Sequence, residues 1–158
     1  MKTLEFTKLE QGAAKNVANA LNQLLADYQI FYTNLRGFHW NVKGKEFFVL
    51  HAEFEKLYNN ASEKADEIAE RILMLDGVPA HKYSDYLKIS KIKEVDYETG
   101  GDAGMKHVLH SYSYFIESER QILILASVAG DEATVAMMSD YIREQEKMVW
   151  MLTAYSTK

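Results

Sequence analysis

The chain has 158 residues, 26% of them charged, and a formal net charge of −5, a balance that argues against a general electrostatic attraction to nucleic acid. It contains no cysteine, which excludes disulfides and thiolate metal sites and accords with a reducing cytoplasm. A single proline and abundant Ala, Leu, Glu and Lys favour an all-α fold, and the longest apolar run, Ile122 to Ala126, is far too short to cross a bilayer.

The opening segment MKTLEFTKLEQG has no apolar run and reads as neither signal peptide nor membrane anchor. A first helix is expected from about Gln11 to Phe38, with Val17, Ala20, Leu21, Leu24, Tyr28, Phe31 and Leu35 on its apolar face. Its end, near Gly37 or shortly after, delivers His39 and Trp40, and Gly44 then turns the chain. Trp40 reads either as ordinary packing or as an aromatic placed to absorb stray oxidising equivalents.

From Lys45 a second long helix is expected, its apolar stripe running through Phe47, Leu50, Phe54, Leu57, Ala61, Ala65, Ile68, Ile72 and Leu75. A polar row of His51, Glu55, Asp66 and Glu70 centres about 130° from that stripe, so it flanks the core-facing side. Each i,i+4 pair puts two side chains on neighbouring turns of one face. Imidazole with carboxylate suits a first-row transition metal, although the same row also reads as a plain solvated face. His51 and Asp66 are fifteen residues apart, about 22 Å along a helix axis, so the two pairs cannot hold one ion within one chain. Two copies of the helix running antiparallel across a two-fold would bring them together, giving a site shared between subunits. Glu63 and Glu67 lie on another face of the helix.

Gly77 and Pro79 end this helix, Gly77 being suited to the left-handed position. The segment from Ala80 to Gly101 is too long for a plain loop, and a short helix is expected around Ser84 to Ser90, capped by Ser84 or Asp85. Gly100-Gly101-Asp102 breaks the chain and caps a third long helix running to about Ala129. His107 and His110 in it lack a carboxylate partner at i±4 and read as surface or structural residues, and His81 is assigned nothing. A fourth helix is expected from about Glu132 to Ala154, capped by Asp131, with Met138, Ile142, Gln145, Val149 and Leu152 facing inward. Asp131, Glu132, Asp140 and Glu144 make its first half acidic, which helix-dipole complementarity and solvation explain without further function. No repeat, low-complexity tract or boundary interrupts residues 1–158, which read as one domain.

Three motifs carry a family resemblance: His39-Trp40-Asn41-Val42-Lys43-Gly44, then Phe47 to His51 with Glu55 four residues on, then Asp66-Glu67-Ile68-Ala69-Glu70-Arg71. In these the chain resembles the Dps family, the ferritin-like mini-ferritins called starvation-induced DNA-protection proteins. The resemblance implies a ferritin-like four-helix bundle with a short extra helix between the second and third helices. It implies that His39, His51, Asp66 and Glu70 are ferroxidase ligands shared across a dimer two-fold, with Trp40 beside them. Glu55 stands where the family usually has Asp, which keeps the charge and alters the reach. The resemblance further implies that acidic residues near Asp131, Glu132, Asp140 and Glu144 line three-fold pores admitting ferrous ions. The expected reaction is oxidation of Fe(II) by hydrogen peroxide or dioxygen, with Fe(III) mineral stored in a dodecameric shell; the preference for peroxide comes from the family alone. No Glu-x-x-His pair, the mark of an intra-bundle diiron site, occurs in the chain. Rival readings are a nucleoid-binding protein with the same shell, a shell holding zinc or manganese, and a non-enzymatic helical module. Lys2 and Lys8 are offset by Glu5 and Glu10, so affinity for DNA is expected to be weak or absent.

Overall fold

The computed structural model describes residues 1–157, which form six α-helices and no β-strand. Four are long: α2 (Gln11–Asn41), α3 (Phe47–Met74), α5 (Gly101–Val128) and α6 (Glu132–Ser156). Two are short: α1 (Leu4–Thr7) and α4 (Tyr83–Ile89), the latter lying in the long connection between α3 and α5. Helices α2 and α3 form one hairpin and α5 and α6 the other, and the crossover that joins them lets α3 and α5 run parallel. The result is a four-helix bundle with a short helix in its crossover. No helix among the described residues is long and apolar enough to cross a membrane.

Periodicity explains the core. The stripes on the four long helices converge on Leu21, Leu24, Phe31, Leu35, Phe54, Ile68, Phe115, Ile122 and Met138, all essentially inaccessible to water. Tyr28 stacks on Phe115 with centroids 4.3 Å apart, and Phe38 meets Phe54 at 5.5 Å. Gly104 permits the close approach of α5 to α3, since a Cβ there would lie 2.8 Å from Phe54 Cζ.

Several boundaries differ from expectation. Helix α2 continues through Gly37 to Asn41, because a mid-helix glycine costs only about 1 kcal/mol and burial of Phe38 and His39 carries the helix onward. After α3 it is Asp76, not Gly77, that takes the left-handed conformation (φ 56°). Gly77 is needed instead for space, as a Cβ would meet Ile72 Cγ2 at 2.8 Å. The Asp76 carboxylate accepts hydrogen bonds from the backbone N–H groups of Thr3 and Leu4 (2.8 and 3.1 Å), tying down the unforeseen α1. Helix α4 begins after Lys82, and neither Ser84 nor Asp85 caps it; Gly100, within the expected Gly100-Gly101-Asp102 break, occupies the cap of α5. Asp131 does cap α6, accepting from Thr134 N at 3.0 Å.

The crossover is pinned by two polar residues of α2. Asp27, fully buried, accepts from the N–H of Lys91 (2.7 Å), the Ser90 hydroxyl (2.9 Å) and the Tyr114 phenol (2.6 Å). Asn34 bridges the carbonyl of Lys93 and the N–H of Val95.

Candidate metal centre

His39 lies in the last turn of α2 and His51 in the first turns of α3, so the hairpin loop between them determines whether they meet. They do: the imidazole centroids are 3.8 Å apart with planes 21° from parallel. Each Nδ1 lies 2.8 Å from the other residue's backbone carbonyl oxygen. A carbonyl oxygen only accepts, so both Nδ1 atoms carry a proton, and in the neutral imidazole it is Nε2 that keeps the unshared pair. The carbonyls thus orient the two rings and fix their tautomers, as outer partners do for metal-ligating imidazoles. His39 is buried and His51 half-buried.

Around the pair stand aromatic residues. Phe47 stacks on His51 (5.0 Å), and Tyr58 meets His39 edge-on (5.4 Å) and Tyr32 in the same way (5.9 Å). The Arg36 guanidinium sits 4.9 Å from the ring centroids of both Tyr32 and Trp40. Trp40 remains 64% exposed. Tyr32, Arg36 and Tyr58 escaped the sequence reading, although Tyr58 lies two turns beyond His51 on the same helix face and α-helical spacing alone could have singled it out.

Glu55, Asp66 and Glu70 are exposed along α3. Glu55 follows His51 by one turn, while Asp66 and Glu70 lie far down the helix. Among the described residues, no three His, Asp or Glu side chains of one chain converge closely enough to hold an ion. The fold therefore brings His39 and His51 together and leaves Asp66 and Glu70 apart from them.

The four acids of α6 separate into different environments. Asp131 is buried and receives Arg71 Nη2 at 2.6 Å, with Thr134 Oγ1 also at 2.6 Å, so its charge is neutralised within the chain and it is not free to line a pore. Glu132 is exposed in the first turn. Asp140 pairs with Arg143 (2.9 Å), and Glu144 with Lys64 Nζ (2.6 Å) and Asn60 (2.7 Å). Asp140 and Glu144 share a groove of about 550 Å³ between α3 and α6 with Glu63, Glu67 and Glu70, whereas Asp131 and Glu132 line a separate depression. His107 and His110 are exposed on α5, and His107 stacks on Phe38 at 5.7 Å.

A second polar group lies inside the bundle. Tyr28 donates to Glu119 Oε1 (2.8 Å), and Gln145 Nε2 donates to both Glu119 Oε1 (2.8 Å) and the Tyr28 oxygen (2.7 Å). Burial pushes the Glu119 carboxyl up to about 7, against the opposing pull of hydrogen bonds from Gln145 and Tyr28.

Residues 18–158 match the family model described as a ferritin-like domain. A Porphyromonas gingivalis protein named DNA protection during starvation protein is 46% identical over 157 residues, 99% of each chain. DNA protection during starvation protein 2 of Bacillus anthracis is 36% identical, over 89% of this chain and 97% of its own. Among solved structures, a Dps protein from Vibrio cholerae O1, described as a member of a broad superfamily of ferritin-like diiron-carboxylate proteins, superposes with a TM-score of 0.93 at 51% identity over 94% of both chains. A Dps protein from Bacillus brevis gives 0.90 at 33% identity, over 94% of this chain and all of the other.

Proposed function

The chain belongs to the Dps family of ferritin-like proteins, and on that premise we propose that it oxidises ferrous iron at sites shared between two subunits and stores the ferric product within a hollow shell. The observation that carries this reading is the His39–His51 pair, two imidazoles held in the tautomer that leaves Nε2 able to bind a metal ion.

An exposed stripe about 100° wide on α3 supports the pairing of subunits. Phe48 (84% exposed), His51, Ala52, Glu55, Asn59, Ser62, Asp66, Ala69, Glu70 and Leu73 (55% exposed) all fall within it. Against an antiparallel copy with its two-fold beside Asn60 and Ala61, the stripe is self-complementary. Phe48 meets the partner subunit's Leu73, and Ala52 meets the partner subunit's Ala69. The same register sets His51 opposite the partner subunit's Glu70 and Glu55 opposite the partner subunit's Asp66. One operation therefore closes the apolar ends and completes both half-sites, as an isologous interface requires.

Ferrous iron is the substrate. His39 and His51 supply nitrogen, the partner subunit's Asp66 and the partner subunit's Glu70 supply carboxylate oxygen, and Glu55 adds a longer-reaching oxygen near a second ion. Carboxylates favour the harder ferric product. With peroxide as oxidant, the O–O bond breaks as two ferrous ions each give up one electron, and hydrolysis of the ferric product releases protons to water and nearby carboxylates. Dioxygen serves as the alternative oxidant. Trp40, packed on Arg36, stands beside the site to absorb stray oxidising equivalents. Glu132, Asp140 and Glu144 are the acids left to attract ferrous ions towards the interior of a dodecamer. Location in the cytoplasm accords with the absence of cysteine. Affinity for DNA is weak in this reading, because the net charge is −5 and the segment near Lys2 is docked through Asp76.

Complementation tests the shared site. His51→Ala alone and Asp66→Ala/Glu70→Ala alone should each lose rapid ferrous oxidation in stopped-flow absorbance. Co-assembled at random, they should recover about a quarter of the intact sites, since each mixed dimer retains one complete site. Absence of any recovery in mixed shells of normal size would refute the shared site.

A further inference from the structure

We propose that Met74 is a peroxide-modification site, at which hydrogen peroxide transfers one oxygen atom to the thioether with the help of the neighbouring Arg71 guanidinium. This rests on the preceding reading only in that peroxide reaches the molecule; no iron takes part.

Met74 closes α3 with 46% of its surface open to water, whereas Met105 and Met138 are sealed in the core. It lines both the groove between α3 and α6 and the depression that holds Glu132, and only Arg71 and Ala133 share that double position. Five carboxylates, Glu63, Glu67, Glu70, Asp140 and Glu144, make the groove acidic against Lys64 and Arg71. Such a field repels anionic oxidants and leaves neutral peroxide free to enter.

Arg71 lies one turn back on the same helix face and is held in place by α6. Its Nε donates to Thr134 Oγ1 (2.9 Å) and its Nη2 to Asp131 Oδ1 (2.6 Å). Nη1 points instead at Met74 Sδ, 3.7 Å away, and among the described residues donates to no oxygen. A thioether is a weak acceptor, so this corner of a fixed cation is left with a poor partner. The long contact barely engages the sulfur lone pairs, which stay available to attack. A sulfoxide oxygen accepts strongly and gives Nη1 a charge-assisted hydrogen bond while the other two contacts persist.

In the reaction a sulfur lone pair attacks one peroxide oxygen and the O–O bond breaks. The second oxygen departs as hydroxide and takes up the proton left on the transferred oxygen, giving water. Sulfur is oxidised by two electrons and peroxide reduced by two, so the net conversion is thioether plus hydrogen peroxide to sulfoxide plus water. Negative charge grows on the departing oxygen in the transition state, and Nη1, already fixed beside the sulfur, stabilises it.

The test treats the purified, iron-free protein with hydrogen peroxide and follows oxidation by mass spectrometry of the tryptic peptide ending at Lys82, in which Met74 is the only methionine. A half-covered methionine without assistance reacts more slowly than free N-acetylmethionine amide. Met74 is expected to react about fivefold faster than that compound, and about fivefold faster than in Arg71→Gln, which keeps a hydrogen-bonding amide and loses the charge. An Arg71→Gln rate equal to wild type, in a variant shown to be folded by circular dichroism, overturns the assignment. If the variant does not fold, a wild-type rate at or below that of the free compound overturns it equally. Because iron is absent, failure of ferrous oxidation in the mixed-shell experiment leaves this result standing, and the converse also holds.

Discussion

Two backbone carbonyls give His39 and His51 their chemical character. By accepting from Nδ1, they turn two neighbouring imidazoles from generic polar groups into oriented donors with free Nε2 atoms. Glu119 carries the opposite sort of information, since its carboxyl is lifted from an ordinary 4.5 to about 7 by burial. The folded chain therefore holds this proton more tightly than the unfolded chain. Its contribution to stability is fully present below about pH 4.5 and is lost as pH rises through about 7. Glu119→Gln cannot ionise, so the stability of wild type relative to this variant should fall by roughly 3 kcal/mol between pH 4.5 and 8. Denaturant unfolding of both proteins across that range measures the difference, and a constant difference would refute it.

Each long helix serves more than one neighbour. Helix α3 turns its apolar stripe to the core and the row from Phe48 to Leu73 outward, with the acids of the groove on a third side. Helix α2 holds the crossover through Asp27, whose carboxylate satisfies backbone N–H groups that α4 and the following segment leave open. Asp27→Ala strands those donors in a buried setting, at a cost of roughly 3–5 kcal/mol. The expected outcome is a fall in Tm of roughly 10 °C, with faster amide exchange at Lys91 and Ile92 than in the long helices. Gly104→Ala sets helix propensity against space. The gain of about 1 kcal/mol from alanine is outweighed by a Cβ placed 2.8 Å from the buried Phe54 ring, so calorimetry should find a net loss of about 1 kcal/mol.

At the scale of the whole molecule, a single chain leaves Phe48, Leu73, Trp40 and Trp150 open to water. Assembly is expected to cover much of this surface. Phe48→Asp with Leu73→Asp places carboxylates at both ends of the proposed two-fold contact, where burial of each apolar side chain contributes about 2 kcal/mol. Sedimentation should then find small species in place of the proposed dodecamer, with helicity retained and the proposed ferrous oxidation lost. Normal shells from this variant would show that the α3 stripe is not the contact.

The four long helices, the short helix in the crossover and the polar row on α3 were all determined by the sequence itself, because helical periodicity is local and each apolar stripe declares its own face. The motifs from His39 to Gly44 and from Asp66 to Arg71 also identified the family, since they depend on residue type and spacing alone. Tertiary structure decided what those side chains meet. The stacking of His39 on His51, the capture of Asp131 by Arg71, the tethering of α1 by Asp76 and the Tyr28–Glu119–Gln145 group each join residues from separate elements. No local pattern encodes such contacts, because they depend on how four helices pack and on which polar atoms that packing removes from water.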